Sequence, residues 1–104
     1  MNKVIYVAGA FRADSSWRIE QNVRRAEEAA LKLWKEGWAV ICPHTMTRFY
    51  QDECPDDVWL DGCMALLFVS DAAYFLKGWQ GSLGSIKEHE FAKELELDII
   101  YEEE

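Results

Sequence analysis

The chain has 104 residues, half of them hydrophobic, with a formal net charge of −8 and a pI near 4.7. That length fits one domain, residues 1–104, with a core only just large enough to stabilise itself. The acidic average field works against a long nucleic-acid partner, and no apolar run approaches the ~18 residues of a membrane span.

The segment Met1-Asn2-Lys3-Val4-Ile5-Tyr6 runs straight into a strand, without a signal peptide's long apolar region and cleavage site. Cys42, Cys54 and Cys63 are odd in number and widely spaced, which argues against a disulfide framework and a CxxC zinc site. Both features predict a reducing, cytoplasmic setting. Five Trp in so short a chain imply apolar surface beyond a monomer core, to be covered by a homodimer or used as a stacking pocket for a ring-shaped ligand.

Val4, Ile5, Tyr6 and Val7 form a short continuous apolar run, a buried strand from Lys3 to Ala8 that Gly9 ends. A polar loop, Arg12-Ala13-Asp14-Ser15-Ser16, is rich in helix-capping residues. Ile19, Val23, Ala26, Ala30 and Leu33 then recur at helical spacing, predicting a helix from Trp17 to Glu36 with Gly37 as its stop. Glu20/Arg24 and Glu28/Lys32 are spaced as i,i+4 pairs on its solvent side. Trp38 to Cys42 reads as a second strand, stopped by Pro43. His44 to Cys54 is polar and aromatic with no clear period, a long loop of the kind that often carries function.

Pro55 suits the first turn of a helix reaching Phe68 or Val69, with Asp56 and Asp57 at its positive end. Ala72 to Leu76 is a third strand and Lys77 to Gly81 a turn. Ser82 or Ser85 caps a helix that reaches Leu95, and Asp98 to Tyr101 is a last strand. The alternation predicts an α/β fold of the small Rossmann or flavodoxin-like three-layer type. Its four-stranded parallel sheet, order 2-1-3-4, is flanked by helices. Ligands bind such sheets outside the carboxyl ends of the strands, where the loops after Ala8, Cys42 and Leu76 gather.

Two acidic residues interrupt apolar faces. Glu88 shares a helical face with Phe91, Ala92 and Leu95. Asp61 falls between Val58, Ala65 and Phe68, which mark the expected core face of its helix. A carboxylate facing a core is costly without a partner, and a ligand pocket would account for both. The plainer alternatives are that Ser85-Ile86-Lys87-Glu88 is a capping box and that Asp61 sits at a helix edge. Gly78, Gly81 and Gly84 are neither a dinucleotide fingerprint nor a P-loop; they form either an anion-binding helix start or a tight turn. His44 and His89 lack paired metal-ligand spacing, so no metal or cofactor is expected. Cys42 and Cys63 read as core cysteines.

In their order and spacing these segments resemble the nucleoside 2-deoxyribosyltransferase superfamily over nearly the whole chain. Ile5-Tyr6-Val7-Ala8-Gly9-Ala10-Phe11-Arg12 is similar to its first strand and loop. Cys42-Pro43-His44, then Trp59 and Asp61, then Ser70-Asp71 follow in order. Gly78-Trp79-Gln80-Gly81-Ser82-Leu83-Gly84-Ser85-Ile86-Lys87-Glu88 is similar to the segment that carries the catalytic glutamate. The superfamily holds transferases that exchange bases on deoxynucleosides and hydrolases that cut nucleoside 5′-monophosphates. It also has short, often phage-associated members, which this chain most resembles. The resemblance implies that Glu88 is the nucleophile, that Tyr6 orients it, and that Asp61 contacts sugar or base. It implies that Ser82 and Gly84 hold a 5′-phosphate, and that a neighbouring subunit completes the site. The sequence departs from the hydrolase pattern at Gly9-Ala10, where a Gly-Ser would supply a hydroxyl. It also lacks the transferases' C-terminal extension.

The implied reaction is cleavage of an N-glycosidic bond, by hydrolysis or base transfer, with Glu88 attacking C1′ as the base leaves. Asp61 would donate a proton to the base. Phe11, Trp59 or Trp79 would stack on it, and Arg12 would pair with a phosphate, with Gly9 and His44 completing the binding surface. Two other classes compete: a non-catalytic nucleotide-binding module, and a structural or partner-binding protein of phage origin.

Overall fold

Strand β1 (Val4–Ala8) is the centre of the sheet because five successive residues are fit for burial on both faces. The computed structural model describes residues 2–50 and 52–103. β1 pairs in parallel with β2 (Ala39–Ile41) on one side and β3 (Ala72–Phe75) on the other, and β4 (Asp98–Tyr101) adds to β3. The order is therefore β2-β1-β3-β4, as the sequence predicts. Tyr6 lies opposite Ile41 and Ala73 in this register.

Alternate residues of the central strands face opposite layers. Ile5, Val7, Ala72 and Tyr74 meet helix α1 (Ser16–Lys35) through Ala26, Ala29, Ala30 and Leu33. Tyr6, Ala8, Ala73 and Phe75 meet Leu67 of α3 (Asp56–Phe68) and Ala92 of α4 (Leu83–Glu94). The molecule is thus three layers, with α1 on one face and α3 and α4 on the other. Helix α1 starts where the Ser15 side chain accepts from Arg18 N, and it ends at Gly37, which takes a left-handed φ of 101°.

The stretch after β2 is more ordered than its sequence suggests. Pro43 opens a one-turn helix, α2 (Pro43–Met46), and the half-buried Arg48 bonds Glu20 and Glu27 of α1, fastening the segment to that helix. The Glu20–Arg24 pair is present at 3.7 Å, but Glu20 is shared with Arg48.

Helix α3 corrects the sequence reading of its faces. Val58, Asp61, Ala65 and Phe68 point to solvent; the inward residues are Leu60, Cys63, Met64 and Leu67. Alanine and two large apolar residues made the outer face look like the inner one, since α3 has almost no amphipathic contrast. Asp61 is consequently exposed and no exception to explain.

After β3 the chain turns through Gly78, whose φ of 83° favours glycine, into a single 3₁₀ turn (Trp79–Gly81). Ser82 then caps α4, its side chain accepting from Ser85 N at 3.3 Å. Among the described residues, no helix is long and apolar enough to cross a membrane.

Candidate active site

A cleft of about 370 Å³ opens at the carboxyl ends of β1 and β2, between the first turns of α3 and α4. This is the β1/β3 switch side of the sheet, where open α/β folds bind ligands. Its floor is the end of β1, Tyr6 to Gly9. Gly9 is required by packing: a Cβ there would stand 2.6 Å from the Leu76 side chain.

Glu88 is the cleft's buried carboxyl. It sits on the inward face of α4 and accepts a hydrogen bond from the Tyr6 hydroxyl, also fully buried. The capping-box alternative is excluded by geometry: the helix starts one turn earlier, at Ser82, and Glu88 faces the sheet instead of its own N-terminus. Burial raises the Glu88 pKa from the usual 4.5 to about 7, against the pull of the Tyr6 hydrogen bond, which favours the carboxylate. Tyr6 is itself held protonated, chiefly by burial and then by the charge on Glu88. The tyrosine therefore donates and the glutamate accepts.

Around this pair the sequence-predicted residues divide. Gly9, Phe11, Arg12, His44, Ser82 and Gly84 all line the cleft with Tyr6 and Glu88. The loop that carries Phe11 and Arg12 is fixed by two bonds. The Phe11 carbonyl accepts from Asn22 Nδ2 at 3.0 Å, and the Ala10 carbonyl is 3.0 Å from His44 Nε2. The His44 ring meets Phe11 edge-on, and burial lowers its pKa, so it acts as a neutral strut. Arg12 stands at the mouth, 2.6 Å from Asp56 and 3.4 Å from Asp52. Asp56 is 71% exposed, and a pair so wetted contributes only about 0–1 kcal/mol, so an incoming anion can compete for the guanidinium.

Asp61, Trp59 and Trp79 do not join the site. Asp61 is on the solvent face of α3. Trp59 stacks on Tyr50 at 6.2 Å, away from the cleft. Trp79 stacks on His89 at 4.2 Å and on Tyr101, over the β3–β4 side of the sheet. Helical phase turns Asp61 out of the cleft, and ring stacking engages Trp59 and Trp79 elsewhere.

Among the cleft residues that the sequence did not mark as site residues are Asp56, Asp57, Cys63, Ser85 and Lys87. Cys63 lines the cleft from α3, with a thiol that burial keeps protonated. Ser85 lines it from α4, one turn before Glu88; it is fully buried and its hydroxyl has no partner among the described residues. The i,i+3 relation to Glu88 was the available signal for Ser85. For Cys63 it was the i+3 step from Leu60 to an inward position, hidden by the misread phase of α3. No group of three potential metal ligands occurs among the described residues.

Fold and site together define a small parallel α/β domain with a buried, tyrosine-bonded carboxyl at the bottom of a ligand-sized cleft. The chain belongs to the family described as a domain of unknown function, DUF4406, whose pattern matches residues 3–101. No curated protein matches it significantly.

Proposed function

We propose that the protein cleaves the N-glycosidic bond of a nucleoside or nucleoside 5′-monophosphate, with Glu88 as nucleophile. The observation that carries this reading is the buried Tyr6–Glu88 pair facing the cleft. A carboxylate that must attack C1′ needs shielding from water and a fixed direction, and burial with one donated hydrogen bond supplies both. Attack from one face of the sugar expels the base from the other through an oxocarbenium-like transition state. The positive charge that develops there is stabilised by the ionised Glu88. Water or a second base then resolves the glycosyl-enzyme, giving hydrolysis or transfer. Phe11, half-buried in the wall, offers a ring to the base. Arg12, Ser82 and Gly84 at the mouth suit a 5′-phosphate. The resemblance to the nucleoside 2-deoxyribosyltransferase superfamily supports the same roles for Glu88 and Tyr6, and the reading needs no cofactor.

The exposed outer face of α3 supports a homodimer: Val58, Phe68 and Val69 are each about half or more exposed and lie on one side of the helix. A second reading, a nucleotide-binding module without turnover, draws on the exposure of Asp61. The acid expected to assist base departure is not beside Glu88; Asp56 and Asp57 line the cleft but lie exposed on the first turn of α3.

A panel of nucleosides and their 5′-monophosphates assayed for free base tests the proposal. Release is expected, with a rate rising through pH 7 as Glu88 ionises, and Glu88→Ala should lose at least about a thousandfold while remaining folded. Ligand-induced stabilisation with no free base from any member of the panel would favour the binding module.

A further inference from the structure

Most of the polar side chains that line the cleft have partners. Tyr6 donates to Glu88, His44 holds the Ala10 carbonyl, Arg12 holds Asp56, and Ser82 accepts from Ser85 N. Ser85 is the contrast. Its side chain is only 1% exposed, it lines the cleft, and its Oγ finds no partner among the described residues. A buried hydroxyl left unpaired is costly, and native structures keep such groups rarely and for a reason. Capping does not supply the reason, because the Ser82 hydroxyl performs that task.

Position on the helix supplies one. Ser85 precedes Glu88 by three residues, so the two side chains emerge on one face about 5–6 Å apart. In a β-nucleoside the base occupies the β face of the furanose. A nucleophile that displaces it must approach C1′ from the α face. That face is also the one that carries the 2′ and 3′ hydroxyls, whereas the 5′ carbon lies on the other. A residue beside the nucleophile on the same helix face therefore meets the α-face hydroxyls.

We propose that Ser85 is a specificity-determining residue whose hydroxyl hydrogen-bonds an α-face hydroxyl of the substrate's sugar. The inference rests on the reading of the cleft as a nucleoside site. A site built around an unpaired hydroxyl discriminates against a ligand that lacks the matching group, because the protein's own group then stays unpaired.

The test is titration calorimetry of the full-length protein with adenosine, 2′-deoxyadenosine, 3′-deoxyadenosine and 2′,3′-dideoxyadenosine, and with the matching uridine series. Wild type should bind the dideoxynucleoside about tenfold more weakly than the nucleoside that carries the recognised hydroxyl, and the two monodeoxy arms show which hydroxyl that is. Ser85→Ala should lose that tenfold for the hydroxylated nucleoside and leave the dideoxynucleoside unchanged, the signature of a direct pairwise contact. Its thermal midpoint should equal or exceed wild type, since an unpaired buried hydroxyl is removed; this separates loss of a contact from loss of fold. Equal weakening of all four ligands in Ser85→Ala, no weakening of any, or no binding in either series overturns the proposal. If the calorimetric pattern holds and no base is released, the catalytic reading fails and this one stands. If base is released and the pattern is absent, the reverse is true.

Discussion

The two faces of the central sheet are built from the same short strands and do different work. On the α1 face, Ile5 and Val7 meet alanines and Leu33, and the cluster is almost wholly apolar. On the α3–α4 face, Tyr6 and Ala8 meet Leu67 and Ala92, and the same layer admits Glu88 and Ser85. One residue of register separates a dry core from a polar site. The difference shows how a very small domain accommodates function: one face is given over to burial, and the other tolerates unfavourable burial of polar groups next to the cleft.

Damage to each face separately tests whether the two are independent. Leu33→Ala removes a buried side chain from the apolar face and should lower stability by roughly 2–5 kcal/mol, read by denaturant unfolding. Ligand preferences of the folded fraction should not change. If they do, the faces are not independent.

A somewhat smaller effect is expected from the polar face, with the opposite sign at high pH. Glu88 titrates near 7 in the folded chain and near 4.5 when unfolded, so the folded state holds the extra proton between those values. Its contribution to stability is fully present below pH 4.5 and is lost as pH rises through 7, a change of roughly 3 kcal/mol. Glu88→Gln should remove that dependence and unfold later than wild type at pH 8.5. Parallel stability curves for the two proteins from pH 4 to pH 8.5 would show that the carboxyl is not buried as described.

The smallest effect belongs to Asp61. On the solvent face of α3, Asp61→Asn should change stability by less than about 0.5 kcal/mol and leave base release and ligand affinity intact. A tenfold loss would mean that, across the proposed homodimer, Asp61 reaches the site of the second copy.

Much of the fold was legible because its signals are local. Buried strands read as apolar runs, α1 has a strong periodic stripe, and Gly37 and Ser82 mark helix ends through their own backbone and capping chemistry. Glu88 was legible for the same reason: a carboxylate among Phe91, Ala92 and Leu95 violates a clear pattern. The face of α3 was not, since apolar residues surround that helix and burial depends on which side meets the sheet, a tertiary fact. The error placed Asp61 inside and concealed Cys63. Trp59 and Trp79 misled through chemistry: an indole suits a stacking pocket, but it equally suits a neighbouring ring, here Tyr50 and His89. The lone hydroxyl of Ser85 could be read only once the partners of its neighbours were known.

If Glu88 is the nucleophile, its buried carboxylate forms a bond to the sugar during turnover. Intact mass measurement of the protein, quenched during turnover of a nucleoside that releases base, tests it most directly. A mass increase equal to the glycosyl residue is expected, mapped by peptide analysis to Glu88, in step with an initial burst of free base and absent from Glu88→Gln. A glycosyl adduct on another residue, or base release without any adduct and undiminished in Glu88→Gln, would contradict it.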